Sequence, residues 1–226
     1  MAENGEKQIS GNKVNNKVNN FLEKNRKIFL VILIAIIVCL LGFIITVSIL
    51  SKQKEKDFSR IDEISFVLTD GSDALEEDEL DARRIDALEK LQPLTNKGGI
   101  VGARADLLCA ELLYQQNDYE KALNYWNDAA KKSKKSYIAP IAYYQMGVCC
   151  EQLNNLEKAA ENYKIASESK EFALVPHAKF SYARVLETLG KIDEAINVYT
   201  QLNDDYSSDD WAKLAKTRII LLNVSK

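Results

Sequence analysis

The chain has 226 residues, with 30 Lys and Arg against 33 Asp and Glu, one His, four Cys, nine Gly and three Pro. So few Gly and Pro argue against a disordered, collagen-like or small β protein. A single His and four Cys leave little material for a metal site or a His-based catalytic group, so composition points to a helix-rich, non-enzymatic protein.

Residues 1–27 form a polar N-terminal segment in which Lys7, Lys13, Lys17, Lys24, Arg26 and Lys27 outnumber Glu3, Glu6 and Glu23. It contains a short echo, Lys13-Val14-Asn15-Asn16 followed by Lys17-Val18-Asn19-Asn20. Val14, Val18, Phe21 and Leu22 fall at helical spacing, so an amphipathic helix lying on an anionic leaflet is one reading and a floppy polar tail is the other.

Residues 28–50 follow as an uninterrupted run without a charge, in which only Gly42, Thr46 and Ser48 are not apolar. As a helix at about 1.5 Å per residue it extends about 34 Å, enough to cross a hydrocarbon core of about 30 Å. The run is too long for a signal-peptide core, and Cys39 within it reads as a small apolar residue in lipid. The positive-inside rule leans toward a cytoplasmic N-terminus and an extracytoplasmic remainder. The lean is slight, because Lys52, Lys54, Lys56 and Arg60 lie just beyond the run. Outside the run roughly 41% of residues are apolar, an ordinary share for a folded domain.

Residues 51–100 read as a divergent helix pair and linker, with helices over 57–68 and 81–94 around a Gly71-Ser72-Asp73 break. Pro93 or Lys97-Gly98-Gly99 ends the second helix.

From residue 101 the chain repeats itself. Ala110, Gly147 and Ala183 are each followed twelve residues later by Ala122, Ala159 and Ala195, and four residues after those by Trp126, Tyr163 and Tyr199. The turns between read Asn117-Asp118-Tyr119-Glu120-Lys121, Asn154-Asn155-Leu156-Glu157-Lys158 and Gly190-Lys191-Ile192-Asp193-Glu194. A small residue on the first helix lets the second approach, the alanine is its counterpart, and the aromatic fills space toward the next repeat. Asn or Gly in the turn tolerates the left-handed conformation that stops a helix. Pro140 and Pro176 sit at one repeat position, where a helix begins and a missing N–H costs nothing. Beyond the third copy, Trp211, Leu214, Ala215 and Arg218 open a further helix, read as a C-terminal cap.

On these residues 101–224 resemble three tetratricopeptide repeats plus a capping helix. The implied fold is all-α, a tetratricopeptide-type helical hairpin solenoid preceded by a single transmembrane helix, with residues 51–100 as N-terminal cap. The resemblance places a concave partner-binding groove at Arg104, Leu107, Glu111 and Tyr114, then Ile141, Tyr144, Val148 and Glu151, then His177, Phe180, Arg184 and Glu187. Leu107, Tyr144 and Phe180 would make an apolar-aromatic stripe suited to an amphipathic helix or an unfolded segment; alternatively, the short array buries them against its own cap. Leu107 and Glu111 replace the Lys and Asn of family members that clamp chaperone tails, so that clamp is absent.

The layout of short start, single span and repeats also resembles the YfgM-type family of ancillary Sec translocon subunits. That resemblance implies a non-catalytic scaffold of the inner (cytoplasmic) membrane, with a translocon subunit, a membrane-bound chaperone or an exported polypeptide as partner. The alternative is a cytoplasm-facing receptor or adaptor for assembly of a membrane complex.

Other chemistries have little footing. His177 follows Pro176 at a helix start and reads as a surface or groove residue rather than a general base. Cys109, Cys149 and Cys150 lack metal-ligand or redox spacing. Glu76-Glu77-Asp78-Glu79 reads as a solvated acidic loop, and Gly98-Gly99-Ile100-Val101-Gly102 lacks the strand and Lys of a phosphate loop. No cofactor, metal or small-molecule substrate is expected. A net charge of −6 beyond Ser51 disfavours nucleic acid.

Overall fold

The computed structural model describes residues 21, 23–170 and 172–224. The Lys13–Asn20 echo, with Val14 and Val18, lies outside the described residues, as does Leu22. The chain divides into two compact units, Met1–Glu55 and Lys56–Lys226.

Helix α1 runs Arg26–Thr69, and its first part belongs to the first unit. There the side chains of the apolar run are exposed on every side, from Ile28 at 58% to Leu50 at 57%. A run of β-branched residues such as Ile32, Ile34, Ile36 and Ile37 has only modest helix propensity in water. This helix is long and apolar enough to cross a membrane; in hydrocarbon, helix formation satisfies every backbone polar group. Thr46 donates its hydroxyl to the Gly42 carbonyl at 2.9 Å, which meets that group's need without water.

The second unit opens with the end of α1, a single 3-10 turn at Ser72–Ala74, and α2, Glu77–Thr95. Three hairpins follow: α3 Gly99–Gln115 with α4 Tyr119–Lys132, α5 Ile138–Gln152 with α6 Leu156–Ser167, and α7 Val175–Thr188 with α8 Ile192–Asp205. Helix α9, Asp210–Val224, closes the described chain. Among the described residues there is no strand. Pro93 does not end α2: the helix carries it internally and runs on to Thr95.

The hairpin turns are built alike for one reason. Asn117, Asn154 and Gly190 have φ of 60°, 55° and 75°, and each reverses the chain so that the next N–H reaches back into the first helix. Those bonds are Asp118 to the Leu113 carbonyl at 2.9 Å, Asn155 to Cys150 at 2.8 Å and Lys191 to Leu186 at 2.9 Å. Left-handed backbone at this position satisfies carbonyls the helix end would strand. Asp118 and Asn155 then cap the second helices by accepting from the N–H of Lys121 and Lys158; Lys191 supplies no such cap.

Packing follows the small residues. A Cβ built on Gly147 would lie 2.6 Å from the Tyr163 ring, so only glycine lets α6 lay its aromatic on α5 at this spacing. Ala110, Ala183, Ala122, Ala159 and Ala195 are fully buried. The aromatics also reach forward, as expected. Trp126 shares a core with Ile138, Ala142 and Cys149 of the next hairpin, Tyr163 with Val185, and Tyr199 with Ala212 and Ala215 of α9. The interior is therefore a file of small cores strung along the array, the pattern of a solenoid. The first of them joins Ile61 and Ile64 of α1 to Leu91 and Leu94 of α2 and to Cys109 and Leu112 of α3.

Candidate functional site

The twelve predicted groove positions occupy α3, α5 and α7, the first helix of each hairpin. Several of their side chains reach a neighbouring helix pair. The Arg184 guanidinium donates to both carboxylate oxygens of Glu151, at 2.6 and 2.9 Å. Glu187 pairs with Arg218 of α9 and accepts from the Tyr199 hydroxyl at 3.4 Å. At the other end Arg104 reaches Asp62 at 2.8 Å, with its guanidinium 5.3 Å from the Phe58 ring centre. These contacts tie the third hairpin to the second and to α9, and the first to α1, while the Tyr199–Glu187 bond lies within the third hairpin.

The aromatic positions form a second chain. Tyr144 packs at 5.3 Å from Tyr163 and 5.9 Å from Phe172, and its hydroxyl lies 2.9 Å from the His177 Nε2. His177 stacks on Trp211 at 3.9 Å with the planes 8° apart, and Phe180 sits 5.4 Å from Tyr199 and 5.2 Å from Trp211. Burial, with the nearby Arg184 charge, holds the His177 imidazole below its ordinary pKa, so at neutral pH the ring is uncharged and stacks as an aromatic. Burial also pushes the Tyr144 phenol up. A neutral imidazole hydrogen-bonded to a phenol and stacked on an indole holds α5, α7 and α9 together.

The remaining positions differ. Leu107 and Val148 are half-buried against the cores of their own hairpins, and Ile141 against the core shared with Val175 and Ala178 of the next. Tyr114 is half-buried and meets Tyr119 edge-on at 5.2 Å, while Glu111 is exposed. Leu107, Tyr144 and Phe180 are thus all partly covered, and Phe180 is covered by α9. Sequence reasoning did not foresee Asp62, Arg218 or the stacking role of Trp211. Their partners lie 31 to 42 residues away in sequence, a separation at which only superhelical geometry decides who meets whom.

Among the described residues the most deeply buried charged pair is Asp106 with Lys132. Asp106 is 1% exposed, and Lys132 reaches it at 2.5 Å while also donating to the Thr95 carbonyl at 2.6 Å. Burial raises the Asp106 carboxyl to about 6 against the pull of Lys132. Burial, with Asp106 beside it, pushes the Cys109 thiol up to about 12, and burial pushes Cys149 up to about 11. Such thiols are poor nucleophiles.

Where α3 meets the end of α1, the 3-10 turn and α2, a cleft of about 550 Å³ opens beside Glu111. Its floor is leucine: Leu68, Leu75, Leu80, Leu108 and Leu112. Leu75 and Leu80 flank the acidic loop, and their spacing was the one sequence signal available for it.

Comparison with known proteins agrees with the repeat. The Tetratricopeptide repeat family matches residues 107–169 and 152–210. A TPR repeat-containing protein of Treponema pallidum is 30% identical over 128 residues, covering 57% of this chain and 54% of that one. A second, from Methanocaldococcus jannaschii, is 33% identical over 99 residues, covering 42% of this chain and 30% of its own. The chain thus spans about half the length of the first of these relatives and less of the second. Among solved structures, a Rap protein complexed with competence and sporulation factor aligns with a TM-score of 0.50 at 20% identity, over 74% of this chain and 47% of that one. The apo form of RapI aligns at 0.51 and 14% identity, over 77% and 69%. These two likenesses concern the fold alone. With the turns, the small-residue contacts and the file of small cores, the family match marks residues 107–210 as tetratricopeptide repeats.

Proposed function

We propose that this protein is a membrane-tethered scaffold whose repeats present the groove from Arg104 to Glu187 to a protein partner outside the cytoplasm, in assistance to translocation or folding of exported chains. The reading is supported above all by the pairing of Ile28–Leu50, charge-free and exposed along its length, with a repeat array downstream. The YfgM-type layout supports the choice of partner: a translocon subunit, a membrane-bound chaperone or the exported polypeptide itself. The Glu151–Arg184 bridge ties the second hairpin to the third within the groove, and half-buried Leu107, Ile141, Tyr144 and Val148 supply its apolar contacts. Apart from exposed Glu111, the groove charges are held in ion pairs, Arg104 with Asp62, Glu151 with Arg184 and Glu187 with Arg218, which favours partners read through shape and apolar contact over a charged clamp.

Protease protection tests the location. Intact cells should leave the repeats shielded by the outer layers and opened envelopes should expose them; digestion only after the cytoplasmic membrane is breached would refute it. Photocrosslinking from Val148 should then capture a translocon subunit, a chaperone or an exported chain. The second reading, a cytoplasm-facing receptor or adaptor, draws on Lys52, Lys54, Lys56 and Arg60, which place as much positive charge after the span as stands near it before. The same protection experiment separates the two.

A further inference from the structure

We infer that the leucine-floored cleft between the cap pair and the first repeat is a docking site for a partner segment carrying aliphatic side chains flanked by Lys or Arg. This rests on the protein-binding reading, because Glu111 belongs both to this cleft and to the groove.

The floor selects aliphatic side chains. Leu68, Leu75, Leu80 and Leu108 are half-buried with one side turned to a space of about 550 Å³, and filling it removes further apolar surface from water. The rim selects the charge. Residues 70–84 hold seven acids and two arginines, and both arginines are committed. Arg83 donates to the Val67 and Asp70 carbonyls at 2.9 and 2.7 Å, where it closes the C-terminal end of α1. Arg84 is held by Glu77 and Asp81 at 2.7 Å each. Asp73 and Glu111, both exposed at the rim, have no cationic partner among the described residues. Arg83 keeps its positive charge, since the carbonyls it meets are neutral, but the seven acids of residues 70–84 outweigh it and Arg84, and Asp73 and Glu111 stand on two sides of the apolar floor. A Lys or Arg spaced to meet Asp73 or Glu111 while its neighbour enters the floor satisfies both at once, and an acidic segment is repelled.

The test uses the full chain in nanodiscs of zwitterionic lipid and fluorescein-labelled peptides read by anisotropy. Lys-Leu-Lys-Leu-Lys should bind at low salt and weaken as salt rises, while Glu-Leu-Glu-Leu-Glu and Lys-Ser-Lys-Ser-Lys should not bind. Replacing Asp73→Asn and Glu111→Gln together should weaken the first peptide about fivefold, the worth of two exposed charge contacts. Glu111→Lys should admit the Glu-Leu peptide. Circular dichroism guards against a folding defect, which exposed sites are not expected to cause. No binding of the Lys-Leu peptide, equal binding of the Glu-Leu peptide, or affinity unmoved by the substitutions overturns the assignment. So does self-association of the chain that the Lys-Leu peptide competes away, since the occupant would then be a second copy. If the cleft fails while Val148 still crosslinks a partner, the groove reading stands; if crosslinking also fails, both fall.

Discussion

The two ends of the repeat array share surface ion pairs, Arg104–Asp62 at the first hairpin being of the same kind as those at the third, but differ in what lies beneath. At the first hairpin the link between α3, α4 and the cap is a buried ion pair, Asp106 with Lys132, whose ammonium also donates to the Thr95 carbonyl. At the third hairpin the links are solvent-facing, Glu151–Arg184 and Glu187–Arg218, laid over stacked rings at His177, Phe180 and Trp211. A buried pair is costly to form and costlier to break, whereas an exposed pair adds little and is screened by salt. The first junction therefore commits the array to one geometry, and the last positions its groove side chains at small energetic cost.

Substitution sharpens that contrast, beginning with the largest effect. Lys132→Met leaves Asp106 buried without its cation and should cost about 3 kcal/mol in urea unfolding; the double variant with Asp106→Leu should recover most of it. If the single variant lost nothing, the junction would not depend on the pair. Next, Gly147→Val drives side-chain atoms into the Tyr163 ring and should cost about 2–3 kcal/mol, seen as a lowered urea midpoint with an unchanged slope.

A pH titration separates the ends further. The Asp106 carboxyl, raised to about 6, binds its proton more tightly folded than unfolded. Between about pH 4 and pH 6 it should therefore make stability fall as pH rises, by roughly 2–3 kcal/mol in all. Asp106→Asn should remove that slope, and a profile identical to wild type would assign it elsewhere. The smallest effect belongs to the Glu151–Arg184 bridge. Arg184→Ala should change stability by no more than about 0.5 kcal/mol in moderate salt, yet loosen the groove and weaken partner crosslinking from Val148.

Much of the solenoid was legible in the sequence because its rules are local. Asn117, Asn154 and Gly190 announce left-handed turns by residue type, and Gly147 announces a close contact by its spacing to Ala159 and Tyr163. The end of α2 was harder: Pro93 lies inside a helix whose remaining turns hold it. The interior pair was illegible, since an Asp on an apolar helix reads as a solvated charge until its Lys arrives from another helix. The groove was legible as positions but not as contacts. Residue type marks Glu151 and Arg184 as candidate lining; only the rotation between hairpins says that they face each other.

The sealed thiols carry an experimental dividend. Cys109, Cys149 and Cys150 lie in the cores at 0–1% exposure, so maleimide reagents should pass the folded repeats by. A single cysteine introduced at an exposed site, such as Lys216 or Glu120, would then be the reactive thiol of the array, with no need to strip the native ones. Its labelling by a membrane-impermeant maleimide would map topology in living cells. Delayed modification of the three core thiols would report, in the same gel lane, the moment the repeats open.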